Sequence, residues 1–261
     1  MKFSNSKSRI KFVAIVGTAL IAIATSASGA ATPWTYSGKT GPSHWKEIDP
    51  TNYATCADGT AQSPINIVNP SKSDLVNLKF SYTKSEAGIF NNGHTVEAEP
   101  LGTEKSTVTI NNTVYNFAQF HFHAPSEHEI TGMHYPVEVH FVNKSDSGKL
   151  AVVGVFVKAG AENEAWKEFT DKITVATADP EATKVELDWA KLLPKNKTTI
   201  RYNGSLTTPG CSEGVKWNVF VNPITMSQDQ INQFLEAYSG NNRPVQPLNN
   251  RSVKVDSTPL K

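Results

Sequence analysis

The sequence predicts a mainly β, α+β fold: a single domain with a large, mostly antiparallel central sheet, flanked by short helices and long loops. Three observations carry this. Apolar residues alternate with polar ones in short runs, at Leu78, Phe80 and Tyr82, at Val108 and Ile110, at Val137, Val139 and Phe141, and at Val215, Trp217, Val219 and Val221. Period two is the mark of a strand with one buried face. Leu150 to Gly160, LAVVGVFVKAG, is apolar on both parities and rich in β-branched residues, which suits a strand buried on both faces in mid-sheet. Helical signals are few, and no linker-like, low-complexity or repeated stretch divides the chain, so one domain is the simpler reading.

From the N-terminus, Lys2, Lys7, Arg9 and Lys11 precede an apolar run from Phe12 to Ala24 and then the small residues TSASGA. Residues 1–30 therefore read as a secretory signal peptide, the run being short of the ~20 residues of a membrane span. An uncleaved anchor is the rival reading. The domain expected after cleavage is 31–261, exported to a periplasm or the medium. Of 25 basic residues four lie in the leader, so 21 face 24 acidic ones and the mature net charge is −3. No basic face points to nucleic acid, and no later segment is apolar enough to span a membrane. A homodimer is left open.

Two helices carry local signals. In SQDQINQFLEAYSG, Ser227 is placed to cap, Gln230 stands three residues on, and Ile231, Phe234 and Leu235 share a face that ends near Gly240. ENEAWKEFTDKI is a second candidate, and DWAKLLP is a single turn stopped by Pro194. Cys56 and Cys211, the two cysteines of the chain, reach an oxidising compartment and either pair or remain as buried thiols; paired, they close a loop worth at most about 5 kcal/mol.

Chemistry concentrates in QFHFHAPSEH, Gln119 to His128. Alternation puts Gln119, His121 and His123 on one face of a strand and Phe120 and Phe122 on the other. Side chains two apart on a strand lie about 7 Å apart at the backbone and can converge on one ion. A His-x-His pair alone is as readily two buried, hydrogen-bonded histidines. VEVHFV, Val137 to Val142, adds a third candidate: Glu138 and His140 share a face, and a connection of about thirteen residues makes the two strands neighbours. Three imidazoles with a vacant fourth position is the arrangement of catalytic zinc. Gln119 and Glu138, each two residues before a proposed ligand, suit acceptors for the ligands' other ring nitrogens.

QFHFH, SEH and VEVHFV resemble the α-class carbonic anhydrases. The resemblance extends through GPSHW, QSPINI, NNGH, LAVVGVFVK, GSLTTPGC and NNRPVQPLNNR, all in the family's order. It implies a zinc enzyme that reversibly hydrates carbon dioxide to bicarbonate and a proton, with possible esterase activity on the side. It further implies His121, His123 and His140 as ligands of Zn2+ and Thr207 as acceptor of a hydrogen bond from zinc-bound hydroxide. Glu127 then orients Thr207, Thr208 positions substrate, and His94 shuttles the proton, swinging on the turn that Gly93 provides. Asn241 completes the residues behind the ligands, with Gln119 and Glu138. Tyr36, Asn92 and Gln119 line the polar side of the cavity; Val142, Val152, Leu206 and Trp217 line the apolar side where carbon dioxide waits. Cys56 and Cys211 match a cysteine pair that is bridged in many secreted members.

Zinc is suited to this reaction because it lowers the pKa of bound water to about 7, a figure measured on carbonic anhydrase itself. Histidine, with an ordinary pKa near 6.5, suits the proton relay. His128 reads as a structural, hydrogen-bonding histidine, and His44 and His134 as surface ones. Two departures from the family pattern stand out: Ala124 and Pro125 follow His123, as in the bacterial subset, and Ala118 before QFHFH is small enough to widen the pocket. A noncatalytic binding module, or a metal-buffering protein on the same fold, is the competing reading; loss of a ligand histidine would mark the first, and the second would need neither the Thr207 and Glu127 pair nor a shuttle.

Overall fold

The computed structural model describes residues 32–258, so the expected signal peptide lies outside the described residues. Fifteen strands follow one another: β1 (Asn66–Ile67), β2 (Ser71–Ser73), β3 (Lys79–Ser81), β4 (Lys84–Asn91), β5 (Val96–Pro100), β6 (Thr107–Ile110), β7 (Thr113–His123) and β8 (Glu129–Ile130). After them come β9 (Val137–Lys144), β10 (Leu150–Ala159), β11 (Lys184–Asp188), β12 (Thr199–Ser205), β13 (Glu213–Phe220), β14 (Ile224–Met226) and β15 (Lys254–Asp256). Thirteen of them form one sheet whose main path runs β11-β4-β5-β7-β9-β10-β13-β12-β15-β2. The predicted mostly antiparallel sheet is therefore present, but mixed. β10 runs parallel to β13 and to β14, and β15 parallel to β2. Parallel neighbours need long crossovers, and the chain from 160 to 212 is the one that separates β10 from β13.

β10 is the mid-sheet strand that its composition predicts, with Ala151 to Val157 buried without interruption. β7 holds a surprise. Tyr115 and Phe117 are buried at odd positions, then Phe120 and Phe122 at even ones, and the register against β9 shifts between Phe117 and Gln119. Ala118 is the extra residue of a β-bulge, which switches the parity of everything after it. It is exposed, so its smallness serves the bulge.

The switch lets phenylalanines on both sides of the bulge enter one core. Phe120, Phe122, Val139, Phe141 and Val153 pack there with Trp166, Phe169, Trp189 and Phe234. Each such side chain, fully buried, contributes about 1.5–3 kcal/mol over its exposed state. The opposite face of the sheet carries a second apolar cluster around Val152, Tyr202 and Trp217.

Among the described residues the α-helices are the single turns α1 (Trp45–Ile48), α2 (Thr55–Asp58) and α3 (Lys167–Thr170) and the longer α4 (Gln228–Ala237). Helix α4 has the predicted capping box: the Ser227 hydroxyl accepts from the Gln230 N–H, and the Gln230 side chain accepts from the Ser227 N–H. Its inner face is Gln230, Ile231 and Phe234, whereas Leu235 is exposed. Gln230 takes the buried place because its amide also exchanges two hydrogen bonds with the Asn163 backbone, which satisfies its polar atoms. The segment ENEAWKEFTDKI forms three short pieces in place of one helix: a 3-10 turn at Glu164–Trp166, α3 (Lys167–Thr170) and a 3-10 turn at Ile173–Val175. DWAKLLP makes backbone-bonded turns, with Lys191 N–H donating to Asp188 O and Leu193 N–H to Ala190 O.

Cys56 and Cys211 are disulfide-bonded across 155 residues of sequence and buried against Trp45 and Tyr53. Closing so long a loop restricts the unfolded chain. Replacing both cysteines by serine is expected to lower stability by about 2–5 kcal/mol, read as a shift of the urea unfolding midpoint at pH 7.

Candidate metal centre

The β7–β9 register sets His121 directly opposite His140, with His123 opposite Glu138. The metal-facing side of the sheet then carries two parallel rows. One reads Gln119, Val142, Val152, Trp217, Tyr202; its neighbour reads His121, His140, Gly154, Val219. Gly154 belongs there for lack of a side chain, since a Cβ would meet Glu138 Oε1 at 3.1 Å and Val219 at 3.4 Å.

The three imidazoles converge. Their ring centroids are 4.6 Å (His123 to His140), 5.2 Å (His121 to His123) and 5.4 Å (His121 to His140) apart, and one nitrogen from each lies within 4.8 Å of the others. Nitrogens bound tetrahedrally to one zinc at ~2.1 Å stand about 3.4 Å from each other, so small side-chain shifts complete the site. His123 and His140 are buried and His121 is half-buried, which opens the group to solvent on the His121 side.

At His121 and His123 the second ring nitrogen is held by an acceptor. His121 Nδ1 lies 2.9 Å from Gln119 Oε1, and His123 Nδ1 lies 2.7 Å from the Asn241 carbonyl. His140 Nε2 lies 3.0 Å from Glu138 Oε1, a close approach that is off the hydrogen-bond direction. These contacts leave His121 Nε2 and His123 Nε2 available to a metal, and at His140 the nitrogen away from Glu138 is Nδ1. His123 Nε2 is buried with no hydrogen-bond partner, a costly situation for a ring nitrogen unless a ligand takes it.

The electrostatics favour neutral rings. Burial, then the neighbouring His123 and His140, hold the His121 pKa well below the ordinary value; burial also lowers that of His123, against the opposing pull of Glu127. Glu138 behaves oppositely. Burial alone would raise its pKa, but His128 and His140 hold it well below the usual carboxylate range. Its Oε1 lies 2.7 Å from His128 Nδ1, its Oε2 accepts the His128 backbone N–H at 2.8 Å, and His128 Nε2 meets the Tyr202 hydroxyl at 2.6 Å. His128 is thus the structural histidine the sequence suggested. His134 is exposed, and His44 is half-exposed beside Glu47.

Glu127 is completely buried. Its Oε1 accepts the Arg243 N–H at 2.8 Å; its Oε2 has no hydrogen-bond partner and lies 3.4 Å from His123 Nε2 and 3.9 Å from His140 Nδ1. No hydrogen bond joins it to Thr207 among the described residues. Thr207, 5% exposed, and Thr208 lie on the loop after β12. Two backbone hydrogen bonds close that loop, Cys211 N–H donating to Thr208 O and Leu206 N–H to Ser212 O, and the disulfide ties it to Cys56.

Val142, Val152, Leu206 and Trp217 share one apolar cluster, and the Trp217 ring stands 4.8 Å edge-on from His140. Tyr36 lies 6.4 Å edge-on from His123, and burial, then Glu127, raise its pKa well above the ordinary phenol. His94 stacks flat on Trp34 at 3.7 Å, and burial lowers its pKa. Asn92 is exposed, and its amide belongs to the turn: Oδ1 accepts the His94 and Thr95 N–H groups, and Nδ2 donates to Glu97 Oε1. Burial pushes Glu97 up to about 7. Trp34, Gly154, Tyr202 and Arg243 are contributors that sequence reading missed; only Gly154, a glycine inside a β-branched run, left a local signal.

Fold and site together define a sheet-borne cluster of three histidines that could hold a metal ion. The eukaryotic-type carbonic anhydrase family matches residues 40–257. A carbonic anhydrase of Klebsiella pneumoniae is 42% identical over 224 residues, 85% of this chain and 91% of the relative. One from Neisseria gonorrhoeae is 36% identical over 245 residues, 93% and 96% of the two chains. Among solved structures, the α-carbonic anhydrase of Thermovibrio ammonificans, in complex with the inhibitor sulfanilamide, is 40% identical with a TM-score of 0.79 and covers 86% of this chain and 100% of its own. The chain belongs to the eukaryotic-type, α-class, carbonic anhydrase family.

The geometry makes metal retention testable. His123→Ala is expected to purify with far less than one equivalent of zinc, and Gln119→Ala to bind zinc about ten- to a hundredfold more weakly, measured by competition with a chromophoric chelator.

Proposed function

We propose that this chain is a zinc-dependent carbonic anhydrase that reversibly hydrates carbon dioxide to bicarbonate and a proton, exported by a signal peptide at 1–30 and acting through the domain 31–261. The observation that carries the reading is the convergence of three imidazoles, two of them held through the other ring nitrogen by Gln119 and the Asn241 carbonyl. The donor set fits zinc: three neutral nitrogens leave the ion's charge undiminished. A zinc ion bound there supplies a strong oxygen nucleophile at neutral pH.

The chain's own residues do the rest. Gln119, Glu138 and the Asn241 carbonyl fix the tautomers and directions of His121, His140 and His123. The wall of Val142, Val152, Leu206 and Trp217 holds an apolar, linear substrate beside the histidines and excludes competing water. Thr207 accepts a hydrogen bond from the attacking group only if its own hydrogen points elsewhere. The partnerless Oε2 of Glu127 is the acceptor this requires, with Arg243 N–H holding the other oxygen. Thr208 helps place the substrate, and Tyr36 with Gln119 forms the polar side. His94 receives the released proton, and burial, which lowers its pKa, favours the neutral form that can accept one.

Weak ester hydrolysis accompanies the hydration, since the same nucleophile attacks carbonyls. The disulfide accords with an exported protein, periplasmic or secreted. Among the described residues no helix is long and apolar enough to cross a membrane.

A pH-drop assay on the purified mature protein tests the reading. Rapid hydration is expected, abolished by a strong zinc chelator and restored by added zinc. His94→Ala is expected to lose turnover at low buffer concentration and to regain part of it with exogenous imidazole. Hydration that survives complete zinc removal would overturn the proposal.

A further inference from the structure

If His94 carries the proton, its backbone must be set with some accuracy, and the turn 91–95 is tied down from several sides. Asn91 Oδ1 accepts the Gly93 N–H at 2.9 Å, and Asn92 Oδ1 accepts the His94 and Thr95 N–H groups at 2.9 and 3.0 Å. The His94 carbonyl accepts from Asn241 Nδ2 at 3.1 Å. Beyond the turn, Asn92 Nδ2 donates to Glu97 Oε1 on β5.

The anchor least expected lies at the end of α4. Tyr238, its C-cap residue, donates its hydroxyl to Asn91 Oδ1 at 2.5 Å, across 147 residues of sequence. The Asn91 amide oxygen therefore takes two donors, Gly93 N–H from inside the turn and the phenol from outside. Lost, the phenol leaves the Asn91 side chain free to rotate away from Gly93. Gly93 has φ of +90°, a region glycine enters freely, so the restraint on this turn comes from the hydrogen bonds around it. These ties revise the expectation that the glycine lets the whole turn swing: the backbone is fixed, and the ring alone has freedom to turn, stacked as it is on Trp34.

We propose that Tyr238 is a positioning residue for proton release: through Asn91 it clamps the backbone of the His94 turn, so that the imidazole rotates on a fixed Cα. Tyr238 hydrogen-bonds to Asn91 and lies edge-on to Phe122 at 6.4 Å, on the core side of β7, opposite the face of His121. Its effect is accordingly confined to the proton step. The inference rests on the carbonic anhydrase reading above.

The test is Tyr238→Phe in the mature protein, which keeps the ring and removes one hydroxyl. Expected: zinc content and kcat/KM for carbon dioxide unchanged, kcat at low buffer reduced about three- to tenfold because a misplaced relay loses part of its advantage, and that loss recovered as imidazole is added. Hydrogen exchange at the Gly93 amide rises in the same variant. A purely structural role for the phenol would lower Tm and kcat/KM with no response to imidazole, and that outcome overturns the proposal, as does an unchanged kcat at low buffer. His94→Ala assayed alongside separates the two failures. Unresponsive to imidazole, it sinks the relay reading and this proposal with it; responsive, with Tyr238→Phe like the parent, it sinks this proposal alone.

Discussion

The pairing of His121 with His140 across the β7–β9 ladder is the constraint on which the rest of the site depends. Because side chains alternate with period two, a slip of one residue in either strand would turn the histidines into the phenylalanine core and the phenylalanines toward solvent. Register is held by both faces at once: Phe120, Phe122, Val139 and Phe141 are fully buried on the far side, and the histidines can meet an ion only on the near side. Each face specifies what the other requires. The bulge at Ala118 is the device that reconciles the first half of β7, where odd residues are buried, with the second half, where even residues are.

Once the rings are placed, burial does the electrostatic work. Removal from water favours the neutral imidazole, which is the form that binds a metal, so the pressure that would make a buried histidine awkward elsewhere is useful here. The same burial would penalise Glu138 as an anion, and His128, with its backbone N–H, offsets that cost. Tyr202 and Ser63 continue the chain of hydrogen bonds beyond His128, so the buried polar groups behind His140 form a connected network.

Much of this was legible in the sequence, for a physical reason: alternation and capping are local. Strand periodicity placed Gln119, His121 and His123 on one face and Glu138 with His140 on another, and the structure brings the two faces together. Ser227 and Gln230 announced the start of α4. What escaped depends on distant partners. Nothing near Leu235 signals that Gln230 will be buried in its place, because the reason is the Asn163 backbone, 67 residues away. The parallel pairing of β10 with β13 hinges on a long crossover, which period two cannot report. Ala118 carries no bulge signature of its own. The second task of Asn92, whose amide oxygen accepts from the His94 and Thr95 N–H groups, likewise has no local signal.

The strap after α4 shows why such long-range contacts matter most at a site of this kind. Within six residues, Tyr238 reaches the Asn91 side chain, Gly240 N–H donates to Ala124 O, Asn241 takes His123 Nδ1 and holds the His94 carbonyl, and Arg243 N–H holds Glu127. The Arg243 guanidinium, almost wholly buried, then donates to Gln62, to Ser63 O and to Cys56 O beside the disulfide. Burial lowers its pKa to about 10, still high enough to keep it charged at neutral pH, and Glu127 pulls in the opposite direction. A buried cation is tolerated only where acceptors surround it, so the guanidinium fixes the strap by the cost of any position in which those three acceptors are missing. One irregular segment thereby sets the direction of the His123 ring, the backbone at His94 and one oxygen of Glu127. A strand could not do this, because its side chains point to two faces only, whereas these groups lie in several directions from the strap.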